Sequence, residues 1–133
     1  MPSLASDALS TIPLFSHLSS RQLRKLQRSV AEHRYEPDIT IVREGGRTAT
    51  LFVVLEGSAK VVRGGQTISR RGPGEYFGEI SLIDGRPRAA SVISETSMRC
   101  LVLEQDSLRG LLMTEPQVAW ALLQSLATRL RGE

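Results

Sequence analysis

The hydrophobic residues change their spacing twice along the chain, and the first zone has the spacing of a helix. Up to about Val30, Leu23 and Leu26 recur at an interval that places them on one helical face. Ser19 and Gln22 form a capping box, because each side chain is placed to bond the backbone N–H of the other residue. The pattern therefore predicts an amphipathic helix that begins next to Ser19.

The middle zone, from about Tyr35 to Leu103, has short apolar runs separated by turn signals. Residues 51–55 form a continuous run rich in β-branched and aromatic side chains, which predicts a strand buried on both faces. Further strands are predicted around the alternating Ile39 and Ile41 and at 59–62, 92–93 and 98–103. The turn signals are Gly45-Gly46, Glu56-Gly57, Gly64-Gly65 and Gly72-Pro73-Gly74. Short strands at this spacing favour a β-sandwich or barrel, of which the jelly roll is one form.

Helical spacing returns after Leu103. Asp106 is predicted to cap one helix, and Thr114 with Gln117 forms a second capping box with Pro116 in the first turn. The apolar arc of the last helix is too broad for a helix with one wet side. We expect either packing on two sides or a well-buried terminal helix. The apolar residues of the two helices are Leu108, Leu111 and Leu112, then Val118, Ala119, Leu122, Leu123, Leu126 and Leu130.

Composition narrows the class of protein. The 133 residues, 41% hydrophobic and 23% charged, indicate one globular domain. The net charge of +3 comes from scattered arginines, so no nucleic-acid patch is predicted. Cys100, the one cysteine, excludes an internal disulfide and lies in a predicted buried strand. No apolar stretch approaches the roughly 20 residues that span a bilayer, and no secretory leader is present, which predicts a cytoplasmic location.

The segment 77–92 carries the candidate chemistry. Gly78 allows a ligand close to the backbone, and the N–H groups of a short turn after it suit an anion. Glu79 is placed to accept hydrogen bonds from a sugar hydroxyl, and the planar fork of Arg88 matches two phosphate oxygens. The small residues Ala89 and Ala90 keep the wall beside the phosphate low. Spacing alone fits equally well a surface turn with an incidental Glu79–Arg88 salt bridge.

The full string points to one family. Phe-Gly-Glu-Ile-Ser-Leu, a spacer of five and Arg-Ala-Ala-Ser-Val closely resemble the phosphate-binding cassette of the cyclic nucleotide-binding domain. That family includes catabolite-activator-type regulators, regulatory subunits of protein kinase A and cyclic-nucleotide-gated channels. The resemblance covers nearly the whole chain, including Ile-Pro-Leu-Phe at 12–15, the Glu44-Gly45-Gly46 turn, residues 54–57 and the two trailing helices.

The resemblance implies a mainly β fold with flanking α-helices. It is a β-roll, a double-stranded jelly roll similar to a cupin, with N-terminal helices and two C-terminal helices. The expected single domain over 1–133 consists of an N-terminal helical segment (1–33), a β-roll (34–104) that holds the cassette (77–92), and hinge and lid helices (105–133).

The resemblance also implies roles for site residues. Glu79 would bind the ribose 2′-hydroxyl, and Arg88 would pair with the exocyclic phosphate oxygens. Backbone groups of neighbouring residues would complete the contacts to ribose and phosphate: Gly78, Ile80, Ser81, Ala89 and Ala90. Members that favour cGMP often carry threonine directly after the arginine, where this chain has Ala89. We therefore expect cAMP to bind more tightly than cGMP, which stays a weaker alternative ligand.

The base would lie in an apolar slot. Its wall would be formed by Phe77 and by Val61 or Val62, and the last helix would supply a lid. The lid candidates are Leu126, Arg129 and Leu130, with Arg129 either stacked on adenine or a solvated cation at the helix end.

The resemblance implies a non-catalytic sensor that converts ligand binding into movement of its C-terminal helices. The alternative is the sensor part of a catabolite-activator-type transcription regulator or of a regulated channel or transporter, with the output domain outside this chain. Met1 indicates a natural start, which weighs against a preceding membrane segment. An unknown effector protein is the expected partner, and the last helix would serve either a homodimer or a lid.

An enzyme is not predicted. His17 and His33, the two histidines, are expected in or beside the N-terminal helices and away from the cassette. No nucleophile–base pair and no metal site suggest themselves.

Overall fold

Eight strands in the middle of the chain form two antiparallel sheets. The computed structural model describes residues 9–10, 12, 15 and 18–132, apart from the side chain of Leu82. The strands are β1 (Val30–Tyr35), β2 (Thr40–Val42), β3 (Thr50–Glu56), β4 (Ala59–Arg63), β5 (Gln66–Arg71), β6 (Tyr76–Phe77), β7 (Ser91–Ser94) and β8 (Met98–Glu104). One sheet has the order β1-β8-β3-β6 and the other β2-β7-β4-β5.

A hydrophobic core joins the inner faces of the two sheets. Phe52 on β3 stacks on its cross-strand partner Phe77 on β6, with ring centroids 4.9 Å apart. Strands of both sheets contribute the other buried residues of this cluster: Val42, Val54, Ala59, Val61, Val92, Met98, Cys100 and Val102. The predicted mainly β architecture of a β-roll type is confirmed, because two sheets enclose one core.

Strand β3 is buried on both of its faces, as its continuous apolar run predicted. Val54 belongs to the core between the sheets. Leu51 and Val53 point to the opposite face, because alternate residues of a strand do so, and they are also fully buried. This strand therefore has little freedom to shift.

The first strand begins earlier than the sequence predicted. Val30–Tyr35 pairs with β8 only and forms the edge of its sheet. Its central residues are exposed and polar, so the segment lacks the alternation that marks a strand. The predicted helical segment 1–33 is therefore wrong over its last residues, and His33 lies on β1 rather than beside a helix. His17, Pro13 and Leu14 lie outside the described residues.

The strand predicted around Ile39 and Ile41 is present, but their alternation is wrong at Ile39. Ile39 precedes β2 and is exposed, whereas Ile41 is partly buried against the core to which Val42 belongs. A register shift between Thr40 and Val42 explains the difference, because it changes which residues face the interior.

Over residues 18–132, which are described without a break in the backbone, four helices accompany the strands: α1 (Ser20–Gln27), α2 (Glu79–Asp84), α3 (Gln105–Thr114) and α4 (Pro116–Leu130). The chain divides into two compact units: a β unit of Val30–Gln105, and a second unit that holds α1, α4 and all of α3 after Gln105, here called the helical unit. The single domain predicted for 1–133 stays a prediction. Within the described residues, no helix combines the length and apolarity that crossing a bilayer requires.

The capping predictions had mixed outcomes. The box at α1 is confirmed, with Ser19 N donating to Gln22 Oε1 at 2.8 Å and Gln22 N to Ser19 Oγ at 3.2 Å. The second box is wrong, because Thr114 ends α3 and its hydroxyl donates to carbonyls of its own helix at 3.1 and 3.2 Å. Glu115 is the N-cap residue of α4, without a side-chain cap bond. Asp106 lies inside the first turn of α3 rather than before it.

One face of α4 is exposed and apolar. Val118 and Leu122 are buried, whereas Trp120, Leu123 and Leu130 are 64%, 56% and 89% exposed. The interpretation of a well-buried terminal helix is therefore wrong.

The buried thiol of Cys100 gives a test of the core. Burial raises its pKa to about 11. Because the thiolate is the reactive form, a thiol reagent at about pH 8 should modify the folded protein far more slowly than the unfolded one. Burial raises the pKa of the thiol in the folded state, and the unfolded thiol keeps its ordinary pKa of about 8.5. Above that pH the unfolded thiol ionises while the folded one stays neutral, so the free energy of unfolding falls as pH rises. Equal modification rates with and without guanidinium chloride would contradict this core.

Candidate functional site

A cavity of about 140 Å³ lies in the β unit, beside α2. It brings together two stretches of the segment 77–92 that lie seven residues apart, 77–81 and 88–90. All eight of these residues are among the predicted site residues: Phe77, Gly78, Glu79, Ile80, Ser81, Arg88, Ala89 and Ala90. Phe77 is held in place by its stacking on Phe52.

Arg88 is a buried cation anchored on carbonyl oxygens. Its side chain is only 4% exposed. Nη1 donates to the carbonyl of Gly78 at 2.9 Å, and Nη2 donates to the carbonyl of Thr50 at 3.0 Å. Nε and Nη2 also donate to Thr48 Oγ1, at 3.4 and 3.3 Å. These bonds compensate for burying the charge, which would otherwise cost several kcal/mol.

The backbone of Arg88 is fixed independently of its side chain. Its N–H donates to the carbonyl of Gly46 at 2.7 Å, and its carbonyl accepts from the N–H of Gly45 at 2.8 Å. This pair of bonds ties the segment after α2 to the 45–46 turn. The guanidinium therefore enters the cavity from a fixed starting point.

The packing around Gly78 requires glycine there, and the predicted approach of a ligand to its backbone stays a prediction. Its φ is +94°, and an added Cβ would collide with the carbonyl oxygen of Thr50 and lie 3.0 Å from Arg88 Nη1. A side chain here is excluded by strand β3 and by Arg88, whatever the ligand. The left-handed conformation turns the chain from β6 into α2.

Glu79 is the first residue of α2 and is only 4% exposed. Its negative charge favours the charged form of Arg88, which offsets part of the lowering of the Arg88 pKa by burial. Since both side chains are buried, the alternative interpretation of a surface turn with an incidental salt bridge is wrong. A buried carboxylate beside a buried guanidinium is an arrangement typical of functional sites.

The charge of the cavity favours an anionic ligand. Three arginines line it, Arg63, Arg71 and Arg88, against one carboxylate, Glu79. Positive charge that converges on an enclosed space attracts a negatively charged group. A phosphate with hydroxyl groups next to it matches this combination of cations and one carboxylate.

Sequence reasoning missed part of the lining. Six residues from β2, β4, β5 and β7 complete the wall: Val42, Arg63, Ile68, Ser69, Arg71 and Val92. Three of them lie on β5, which is mostly polar and was not predicted. The Gly64-Gly65 signal was available, because a two-glycine turn after the 59–62 strand predicts a hairpin partner of similar length.

The predicted base slot is partly formed. Val61 lines the cavity together with Phe77, whereas its neighbour Val62 is not among the lining residues described. The lid candidates Leu126, Arg129 and Leu130 lie on α4, in the helical unit. Their role as a lid stays a prediction.

Comparison with known proteins identifies the family. The family model of the cyclic nucleotide-binding domain matches residues 32–115, which include the whole described lining of the cavity. The chain is 31% identical over 97 residues to a CRP-like cAMP-activated global transcriptional regulator of Mycobacterium tuberculosis. This match covers 69% of the chain and 43% of the regulator, so the chain spans less than half of that relative.

Two solved structures are similar over almost the whole chain. A cyclic nucleotide-binding domain from Methylobacillus flagellatus has a TM-score of 0.85 and 31% identity, and the match covers 98% of this chain and 79% of that one. The regulatory domain of Toxoplasma gondii PKA with cAMP has a TM-score of 0.84 and 25% identity, over 96% of this chain and 50% of that one.

The packing of Gly78 predicts a large penalty for a side chain. Gly78→Ala should destabilise the protein by about 3 kcal/mol or more, because it adds a collision with Thr50 to an unfavourable φ. Gly85→Ala is the matched control, since Gly85 has a φ of +71° but open space around it, and about 1 kcal/mol is expected. Urea unfolding of both variants measures the difference, and equal losses would contradict the described packing.

Proposed function

Because the chain belongs to the cyclic nucleotide-binding domain family, we propose that its β unit binds a cyclic nucleotide, cAMP in preference to cGMP, as a regulatory signal. The observation that carries the proposal is the pair of buried opposite charges, Glu79 and Arg88, in one cavity with an excess of arginines. The matched structure of a regulatory domain with cAMP supports it.

Arg88 would hold the cyclic phosphate. A guanidinium has five N–H donors, and the four bonds to described residues leave one N–H of Nη1 for a ligand. The contacts with Thr48 are long, at 3.3 and 3.4 Å. A phosphate oxygen would replace them with shorter charge-assisted bonds. The fork is thus already oriented before the ligand arrives, which lowers the entropic cost of binding.

Glu79 would accept a hydrogen bond from the ribose 2′-hydroxyl. A carboxylate beside a phosphate is unfavourable by charge alone, and a hydrogen bond from a ribose hydroxyl would offset that repulsion. Ile80, Ser81, Ala89 and Ala90 would contribute backbone groups to ribose and phosphate, as the family resemblance implies.

The preference for cAMP rests on Ala89 and on the relatives. Ala89 follows Arg88 and offers no side-chain hydroxyl to a guanine amino group. The similar regulator is described as cAMP-activated, and the similar regulatory domain was solved with cAMP. Phe77 and Val61 would contact the base, and Arg129 would be a candidate to cover it.

Hydrogen bonds of the adjacent residues Ala49 and Thr50 connect Arg88 with the end of β8 and the start of α3. Arg88 donates to the carbonyl of Thr50, and the Thr50 hydroxyl donates to Glu104 Oε2 at 3.3 Å. Gln105, the first residue of α3, donates its N–H to the carbonyl of Ala49 at 2.9 Å. A phosphate that binds Arg88 in place would share the guanidinium with the Thr50 carbonyl and weaken that bond, and the change at residues 49–50 would bias α3 and α4 between two arrangements.

The proposal allows two alternatives for what receives the signal. The chain would act as a non-catalytic sensor for an unknown effector, or as the sensor part of a transcription regulator or channel whose output domain lies outside these residues. Self-association through α4 stays a prediction.

A calorimetric titration tests the ligand and its contacts. Wild type should bind cAMP more tightly than cGMP, and Arg88→Ala should lose about 2–5 kcal/mol of cAMP binding free energy, because a buried charge contact is removed. Arg86→Ala is the matched control, since Arg86 is an exposed arginine two residues earlier and lines no part of the described cavity. It should bind cAMP like wild type.

Three results would contradict the proposal. They are equal losses for the two arginine variants, cGMP binding as tight as cAMP binding, and no binding by folded wild type. Chromatography of the ligand after the titration should recover cAMP unchanged, since no catalysis is proposed.

Hydrogen exchange tests the coupling. Saturating cAMP should change exchange in residues 106–131 of wild type, and Thr50→Val should weaken that response because it removes the hydroxyl bonded to Glu104. Thr114→Val is the control, since that hydroxyl bonds only to carbonyls of its own helix among the described residues. An unchanged exchange pattern in 106–131 on adding cAMP would refute the coupling.

A further inference from the structure

Three loops meet at the end of the cavity where Arg88 begins. The 44–46 turn bonds the backbone of Arg88, and the N–H of Glu44 donates to Ser91 Oγ at 2.8 Å. The carboxylate of Glu44 accepts from the N–H of Gly64 at 3.2 Å. The hairpin between β4 and β5 is thereby tied to the same point as the segment 88–91.

The side chain of Arg63 adds a further contact between this hairpin and the segment 88–91. It is the last residue of β4 and pairs with Gln66 across a turn of two glycines, which both have positive φ. Such a two-residue turn fixes the position of the residues that flank it. From this position, Arg63 Nε donates to the carbonyl of Ala89 at 3.2 Å, and the side chain also lines the cavity.

We propose that Arg63 holds the carbonyl of Ala89 and places a second positive charge beside the bound phosphate. The proposal rests on the proposed function, because it assumes that the phosphate lies at Arg88. Ala89 follows Arg88 directly in the chain, so a guanidinium bonded to its carbonyl lies at the same end of the cavity. Arg63 is a positioning residue, because it holds the Ala89 backbone in place, and its charge also attracts the phosphate of the ligand.

The exposure of Arg63 distinguishes it from Arg88. Arg63 is exposed, whereas Arg88 is 4% exposed. Salt screens an exposed charge and leaves a buried one largely unaffected. The contribution of Arg63 should therefore be modest and should shrink as salt rises, which separates it from a structural role.

Isothermal calorimetry with cAMP at about 0.05 M and about 0.5 M NaCl tests the proposal. Arg63→Gln keeps a hydrogen-bond donor without the charge, and its Kd should rise about 3- to 10-fold at low salt and clearly less at high salt. Arg63→Lys keeps the charge and should restore most of the affinity and of the salt dependence. Arg34→Gln removes the same charge from an exposed site on β1, in the other sheet, and should bind like wild type.

The other possible outcomes separate failure of the Arg63 inference from failure of the proposed function. If Arg63→Gln binds like Arg34→Gln at both salt concentrations, the inference fails while the proposed function stands. If Arg63→Gln and Arg63→Lys lose the same affinity at both concentrations, the charge has no role and the inference is overturned. Absence of binding by folded wild type overturns the proposed function itself. Circular dichroism melting of each variant checks that it is folded.

Discussion

The anchoring of the Arg88 guanidinium on the carbonyls of Thr50 and Gly78 is the constraint on which the site depends. It requires glycine at position 78, because a side chain there would collide with the Thr50 carbonyl. It ties α2 to β3, and it sets a buried cation close enough to Glu79 for the two charges to influence each other. The remaining cavity residues surround a charge whose position these bonds have already fixed.

The fold was predictable where apolar content and turn residues carry the information. The buried strand at 51–55, the buried Cys100 and the capping box of α1 follow from local pattern and were confirmed. Strands β1, β5 and β6 were missed, since edge strands and polar strands are defined by their partners rather than by their own residues. The second capping box failed because Thr114 bonds back into its own helix, which competes with capping.

The residues that line the site were largely predictable, whereas the groups that hold them in place were not. A carboxylate and an arginine near a glycine indicated a sugar phosphate, and the family string assigned their roles. Two of the three described residues that the Arg88 side chain bonds, Thr50 and Thr48, lie 38 and 40 residues away in sequence, and no local pattern connects them to it. Arg63 was overlooked for the same reason, since its bond to Ala89 spans 26 residues and arises from the register of a hairpin.

The central claim is that a cavity organised around Arg88 and Glu79 receives the phosphate and the ribose of a cyclic nucleotide. A crystal structure of the complex with cAMP tests it most directly. The account predicts a phosphate oxygen within about 2.7–3.2 Å of Arg88 Nη1 and a ribose hydroxyl at a similar distance from a Glu79 oxygen. A nucleotide bound elsewhere, or one bound in the cavity with its phosphate away from Arg88, would contradict it.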